Sequence, residues 1–193
     1  MNEKGNYSHC SILALGVSNI AQADNHTVTL GYAQSTVQNF DDIDGINVKY
    51  RYEWDSPLSI ISSFTYMSGN DDASYMVSRD IINTHAEIKY YSLSAGPAYR
   101  INEMVSIYGL LGVNLNKVDY SSSWLNYEGF GNYTNMGSIS GSERKASLMY
   151  GAGLQINAWE GVTVDVGYEG SQLDIDGQNY SINGFNVGLG YRF

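Results

Sequence analysis

The sequence predicts an all-β fold: an eight-stranded antiparallel transmembrane β-barrel, an up-and-down meander with four long extracellular loops. Three observations carry this prediction. The run from Gly45 to Trp54 places Ile46, Val48, Tyr50, Tyr52 and Trp54 on one parity and Asn47, Lys49, Arg51 and Glu53 on the other. Period-2 alternation marks a strand with an apolar and a polar face. A face of full charges opposite a face ending in aromatics fits a barrel with lipid outside and a closed lumen inside. Eight segments alternate in this way, joined by connections that are short and long in turn. Finally, 21 Gly and 17 Tyr against 2 Pro favour strands and aromatic belts. No apolar stretch reaches the roughly 18 residues of a transmembrane helix. The mildly negative mean hydropathy suits a barrel, in which only alternate strand residues are apolar.

The elements follow in chain order. Residues 1–23 read as a removable signal peptide: the run Cys10 to Val17 is a short apolar core, and Ala21-Gln22-Ala23 is a small-x-small cleavage site before Asp24. Residues 24–193 form the barrel. The only cysteine, Cys10, would leave with the leader, which excludes a disulfide framework or a Cys-based zinc site. Tyr7-Ser8-His9 before it is not a lipoprotein box. The net charge of −10 argues against nucleic acid as a partner.

Strand one, Thr27 to Ser35, sets Val28, Leu30 and Tyr32 against Thr29, Gly31 and Ala33. Strand two is the charged run. Strand three, Leu58 to Tyr66, sets Ile60, Phe64 and Tyr66 against Ser59, Ser63 and Thr65. Strand four, Thr84 to Arg100, carries Tyr91, Leu93, Pro97 and Tyr99 outward; strand five, Val105 to Tyr120, carries Ile107, Leu111, Val113 and Leu115. Strand six, Arg144 to Asn157, carries Leu148, Tyr150, Leu154 and Ile156. Strand seven runs from Val162 to Ser171 and strand eight from Ser181 to Phe193, with Phe185, Val187, Leu189, Tyr191 and Phe193 outward.

The opposite face is rich in Gly, Ser and Ala, as a narrow eight-stranded interior requires. It also carries Lys49, Arg51, Glu53, Arg100, Asp165, Glu169 and Arg192, expected to pair as a structural lumen network, since isolated ions there would be costly. A proton relay or narrow ion path is the alternative. Short turns at Asp55-Ser56-Pro57, Asn102-Glu103 and Ala158 to Gly161 fall on the periplasmic side. The long connections, Thr36 to Asp44, Ser68 to Asn83, Ser121 to Ser142 and Gln172 to Tyr180, then all fall outside. Trp54, Tyr99, Trp159, Tyr191 and Phe193 cluster at the periplasmic interface, where aromatics anchor a barrel.

Several stretches carry a family resemblance: Tyr32-Ala33-Gln34-Ser35, Lys49-Tyr50-Arg51-Tyr52-Glu53, Ser63-Phe64-Thr65-Tyr66, Ala95 to Asn102, Tyr150 to Gln155 and the terminal Gly190-Tyr191-Arg192-Phe193. Their order and spacing resemble the Ail/Lom family over essentially the whole mature chain. The resemblance implies a Gram-negative outer-membrane barrel with no cofactor, surrounded by outer-membrane lipid and lipopolysaccharide. It implies roles in host-cell attachment, invasion and serum resistance, with extracellular-matrix or complement-regulatory proteins as partners. It also implies that Tyr191 and Phe193 are the signal read by the barrel-assembly machinery. A barrel with structural or envelope-stress duties is the alternative.

Two surface groups stand out. Lys89, Lys117 and Arg144 share outward parity near the tops of strands four, five and six, at similar height by rise per residue. They form a candidate patch for lipopolysaccharide phosphates, against ordinary solvated charges. Trp124, Tyr127, Phe130 and Tyr133, among Gly, Asn and Ser, form a candidate host-contact loop, against rings that pack on one another. Strands four and five exceed the about 9–11 residues a membrane strand needs, so the wall is expected to project into the medium. A lipid-modifying enzyme needs a nucleophile, a base and an orienting group. After cleavage His26 and His85 remain, with no serine motif beside them, so no catalytic residue, no metal site and no Ca²⁺ loop are assigned.

Overall fold

The computed structural model describes residues 25–38, 42–77, 79–130, 132–175 and 178–193. The expected leader, 1–23, lies outside the described residues. Eight strands follow in order: β1 (Asn25–Val37), β2 (Ile43–Glu53), β3 (Leu58–Val77), β4 (Asp80–Arg100), β5 (Val105–Gly129), β6 (Asn132–Trp159), β7 (Val162–Ile175) and β8 (Gln178–Arg192). Each pairs antiparallel with the next, and β1 closes on β8 from Thr27↔Arg192 to Val37↔Ile182. Closure leaves no free edge within the membrane, where an unpaired backbone group would be costly. The side-chain alternation is as anticipated: in β2, Asn47, Lys49, Arg51 and Glu53 are buried while Ile46 and Tyr50 are exposed.

Two features differ from expectation. The connections Ser68 to Asn83, Ser121 to Ser142 and Gln172 to Tyr180 are mostly strand. β3 and β4 pair up to Val77↔Asp80, and β5 and β6 pair up to Gly129↔Asn132, with bulges after Trp124 and Tyr127. These segments are rich in Ser, Asn and Thr, whose weak contrast between faces hides a period of two; backbone pairing across the hairpin sustains them. Because β2 pairs with β3 only up to Ser68, and β6 with β7 only from Met149, a four-stranded sheet from β3, β4, β5 and β6 stands above the cylinder. The β1–β2 and β7–β8 hairpins are shorter.

The lumen is also less polar than expected. Ala33, Val37, Ile43, Met67, Ile88, Tyr90, Val118 and Ile182 form a buried apolar cluster at its outer end. A second cluster, Ile61, Ala98, Tyr108 and Leu110, lies lower. Side chains fill the interior at two levels, with the polar and charged groups between and below them.

Candidate functional site: lumen and projecting sheet

Six of the seven ionic residues of the lumen fall into two ion-paired groups. In the first, Lys49 Nζ donates to Asp165 Oδ1 at 2.6 Å, Asn186 Oδ1 at 2.5 Å and Asn47 Oδ1 at 2.7 Å. Tyr108 donates to the same Asp165 oxygen at 3.1 Å. Glu169 lies apart from the ion pairs and accepts from Thr65 at 2.9 Å and Ser92 at 3.2 Å. In the second group Glu53 meets three guanidiniums: Arg51 at 2.9 Å, Arg192 at 3.1 Å and Arg100 at 4.0 Å. Arg51 also donates to Ser59 and Gln155. Among the described residues no cluster of His, Cys, Asp and Glu is arranged to hold a metal.

At the periplasmic rim Phe193 is held by the first strand. His26 and Phe193 exchange backbone hydrogen bonds at 2.8 and 2.9 Å. Their rings stack at 5.6 Å, Tyr191 stacks on Phe193 at 6.2 Å, and His26 Nδ1 lies 2.7 Å from the Tyr50 hydroxyl. Nothing in the spacing of the sequence pairs position 26 with position 193; only barrel closure does.

The outer face of the projecting sheet carries the basic trio. Lys89 is the register partner of Lys117, and Lys117 of Arg144, so the three form one row across β4, β5 and β6. The next row up is acidic, with Glu87 opposite Asp119. Lys89 pairs with Glu87 at 2.8 Å and Lys117 with Asp119 at 2.5 Å. The hydrogen bond from Lys117, and then one from Ser142, hold the Asp119 carboxyl below the usual carboxylate range. The hydrogen bond to Glu87 raises the Lys89 ammonium pKa. Arg144 has no ion-pair partner among the described residues. The row therefore has one unpaired cation and two that must exchange partners to take a phosphate.

The four loop aromatics sit on the β5–β6 hairpin rather than on a loose loop. Tyr127 and Tyr133 pack together at 5.4 Å, and the Arg79 guanidinium lies 5.8 Å over the Tyr127 ring. Asp80 ties this hairpin to the β3–β4 turn: it accepts from the Trp124 indole at 3.1 Å and from the Tyr127 backbone N–H at 2.9 Å. Arg79 takes up the turn with φ +82°. Phe130 stands fully exposed at the β5–β6 turn. Sequence reasoning missed Arg79 and Asp80, because their role depends on β4–β5 register; an Asp next to a turn gave only a weak hint.

Comparison with known proteins places this geometry in context. The family described as enterobacterial Ail/Lom protein matches residues 7–193. The chain is 47% identical over 180 residues to the virulence membrane protein PagC of Salmonella typhimurium, covering 92% of this chain and 91% of that one. It is 37% identical over 186 residues to the attachment invasion locus protein of Yersinia enterocolitica, covering 94% and 93%. Against outer membrane protein X of Escherichia coli K12 it is 39% identical over 173 residues, covering 89% and 87%. Among solved structures, the crystal structure of Ail from Yersinia pestis superposes with a TM-score of 0.65 at 34% identity, covering 89% of this chain and 99% of that one. The same protein bound to the heparin analogue sucrose octasulfate gives a TM-score of 0.63 at 33% identity, covering 89% and 100%.

Proposed function

The chain belongs to the Ail/Lom family of bacterial outer-membrane barrels, which are not enzymes, and on that premise we propose that it attaches the cell to host cells or host proteins. Invasion and serum resistance are activities of the same surface. The observation that carries the reading is the four-stranded sheet lifted clear of the cylinder. Its outer strand β6 is paired on one side only from Asn132 to Leu148, leaving backbone donors and acceptors to a partner strand. The test compares cells with and without the protein for binding to fibronectin, laminin and epithelial cells. Removing Trp124 to Tyr133 should reduce attachment while leaving the barrel heat-stable. Unchanged attachment would favour a structural duty in the envelope.

The row Lys89–Lys117–Arg144 supports a second contact, with lipopolysaccharide phosphates of the surrounding leaflet, through charge-assisted hydrogen bonds. Replacing all three by Gln should weaken lipopolysaccharide binding, and Arg144→Gln alone should account for most of the loss, since its charge is already free. Undiminished binding by the triple variant would remove the patch.

A further inference from the structure

Above the row Tyr66–Tyr91–Leu115–Ala146 the polarity of the sheet inverts. Below it, apolar side chains face lipid. Above it the outer face is charged or hydroxylic: the row Lys89–Lys117–Arg144, then Glu87, Asp119 and Ser142, then His85, Ser121 and Ser140. The inner face becomes apolar near the top, where Tyr75, Ile82 and Trp124 are successive register partners. Trp124 and Ile82 share an open groove of about 340 Å³ with Ile139 and Met136. Lower on the same face Tyr120 lies flat over Gly141, where a Cβ would run into its ring.

At the distal end the outer face turns apolar too: Met76, Ile81 and Leu125 are successive register partners. Phe130 caps the hairpin, with Tyr133 beside it. Met76 is 72% exposed, Ile139 75% and Phe130 104%. The end of the sheet thus carries apolar side chains on both faces and at its apex, interleaved with Asn126, Thr134 and Asn135. The charges near it are Arg79, Asp80 and Glu128. Arg79 lies on the Tyr127 ring, and Asp80 is hydrogen-bonded to Trp124 and Tyr127.

We propose that this end is a wedge that enters the headgroup region of an opposing, electrically neutral lipid bilayer. The proposal rests on the attachment reading and names its partner. An element with apolar side chains on both faces and at a convex apex is satisfied by a medium that surrounds it. Trp and Tyr are the side chains that settle at membrane interfaces, with the ring in the apolar zone and the polar atom in the wet one. Near balance of the local charges gives anionic lipid no advantage. Phe130 lies fifteen positions along β5 and its turn from Leu115, about 50 Å of strand, so it cannot reach back to its own leaflet.

The test uses the mature protein in nanodiscs. Of its three Trp, Trp54 and Trp159 sit at the other end of the barrel, so Trp54→Phe with Trp159→Phe leaves Trp124 as the reporter. Added phosphatidylcholine vesicles with brominated acyl chains should shift Trp124 emission to the blue and quench it, and the protein should float with the vesicles. Phe130→Asp with Met76→Asp should weaken vesicle binding about tenfold or more while leaving the barrel folded. Unchanged Trp124 emission with no co-flotation overturns the proposal. If cell attachment persists in that case, the attachment reading stands with a protein or glycan partner. Vesicle binding that survives the double Asp variant also overturns the wedge. Vesicle binding without attachment to cells supports the wedge and counts against the attachment reading.

Discussion

Lys49 illustrates how a single side chain can be held in place rather than used. It is 2% exposed, yet its ammonium has three oxygen partners within 2.7 Å. Breaking a buried ion pair from one side leaves the other charge stranded, which costs more than the pair contributes. Lys49→Met should therefore lower stability by about 3 kcal/mol, and Lys49→Met with Asp165→Leu should recover most of the loss. Urea unfolding in bilayers, followed by the gel shift of the folded barrel, checks both. On the outer face, Asp119 has a lowered pKa and Lys89 a raised one. A lowered carboxyl pKa contributes stability above the unfolded value and loses it only as pH falls through the folded one. A raised ammonium pKa contributes below the unfolded value and loses it only as pH rises through the folded one. Neither window covers the mildly acidic range, so the stability lost on Lys89→Gln with Asp119→Asn, read as a shift in urea midpoint, should be equal at about pH 5 and about pH 7.5. A difference between the two would assign the row to another titrating group.

At the scale of the element, the barrel strands were legible wherever lipid enforces alternation. β1, β2 and β8 could be read within about two to three residues because one face must be apolar and the other must fit a narrow lumen. β3 to β6 were cut short, since that constraint ends where lipid ends and Ser, Asn and Thr occupy both parities. The inversion left a trace in Tyr75, Ile82 and Trp124, but only the register shows that they form one row. The lumen charges could be named from parity alone, whereas their division into a Lys49 group and a Glu53 group depends on which strands face each other across the axis. Asp80 belongs at this scale because it fastens one projecting hairpin to the next. Asp80→Ala removes two hydrogen bonds to a carboxylate, each worth about 1.5–3 kcal/mol. Tryptic cleavage after Arg79 should accelerate about tenfold or more. An unchanged cleavage rate would mean that the turn is held by its own backbone.

For the whole molecule, the two apolar clusters across the interior matter more than the charges between them. An ion entering from outside meets the apolar cluster of Met67, Ile88 and Val118 before the Lys49 group, and would have to shed much of its hydration there. Single-channel recording in planar bilayers should show no conductance steps above baseline. Regular steps would mean that the apolar cluster opens. That sealing was legible from strand number, since eight strands leave no open channel. Its apolar character was not, because inward Ile and Met residues look, in sequence, like lapses in the alternation.

The clasp between His26 and Phe193 brings the start of β1 and the end of β8 side by side on one rim, so the ring of strands has no topological beginning. A circular permutant, with those ends joined by a few flexible residues and the backbone opened at Phe130, should retain the same hydrogen-bonded ring once folded. It would, however, bury its present terminal aromatic in a linker. Comparing its refolding in pure lipid with its biogenesis in living cells would separate what the ring itself requires from what the cell's insertion apparatus reads at a free end.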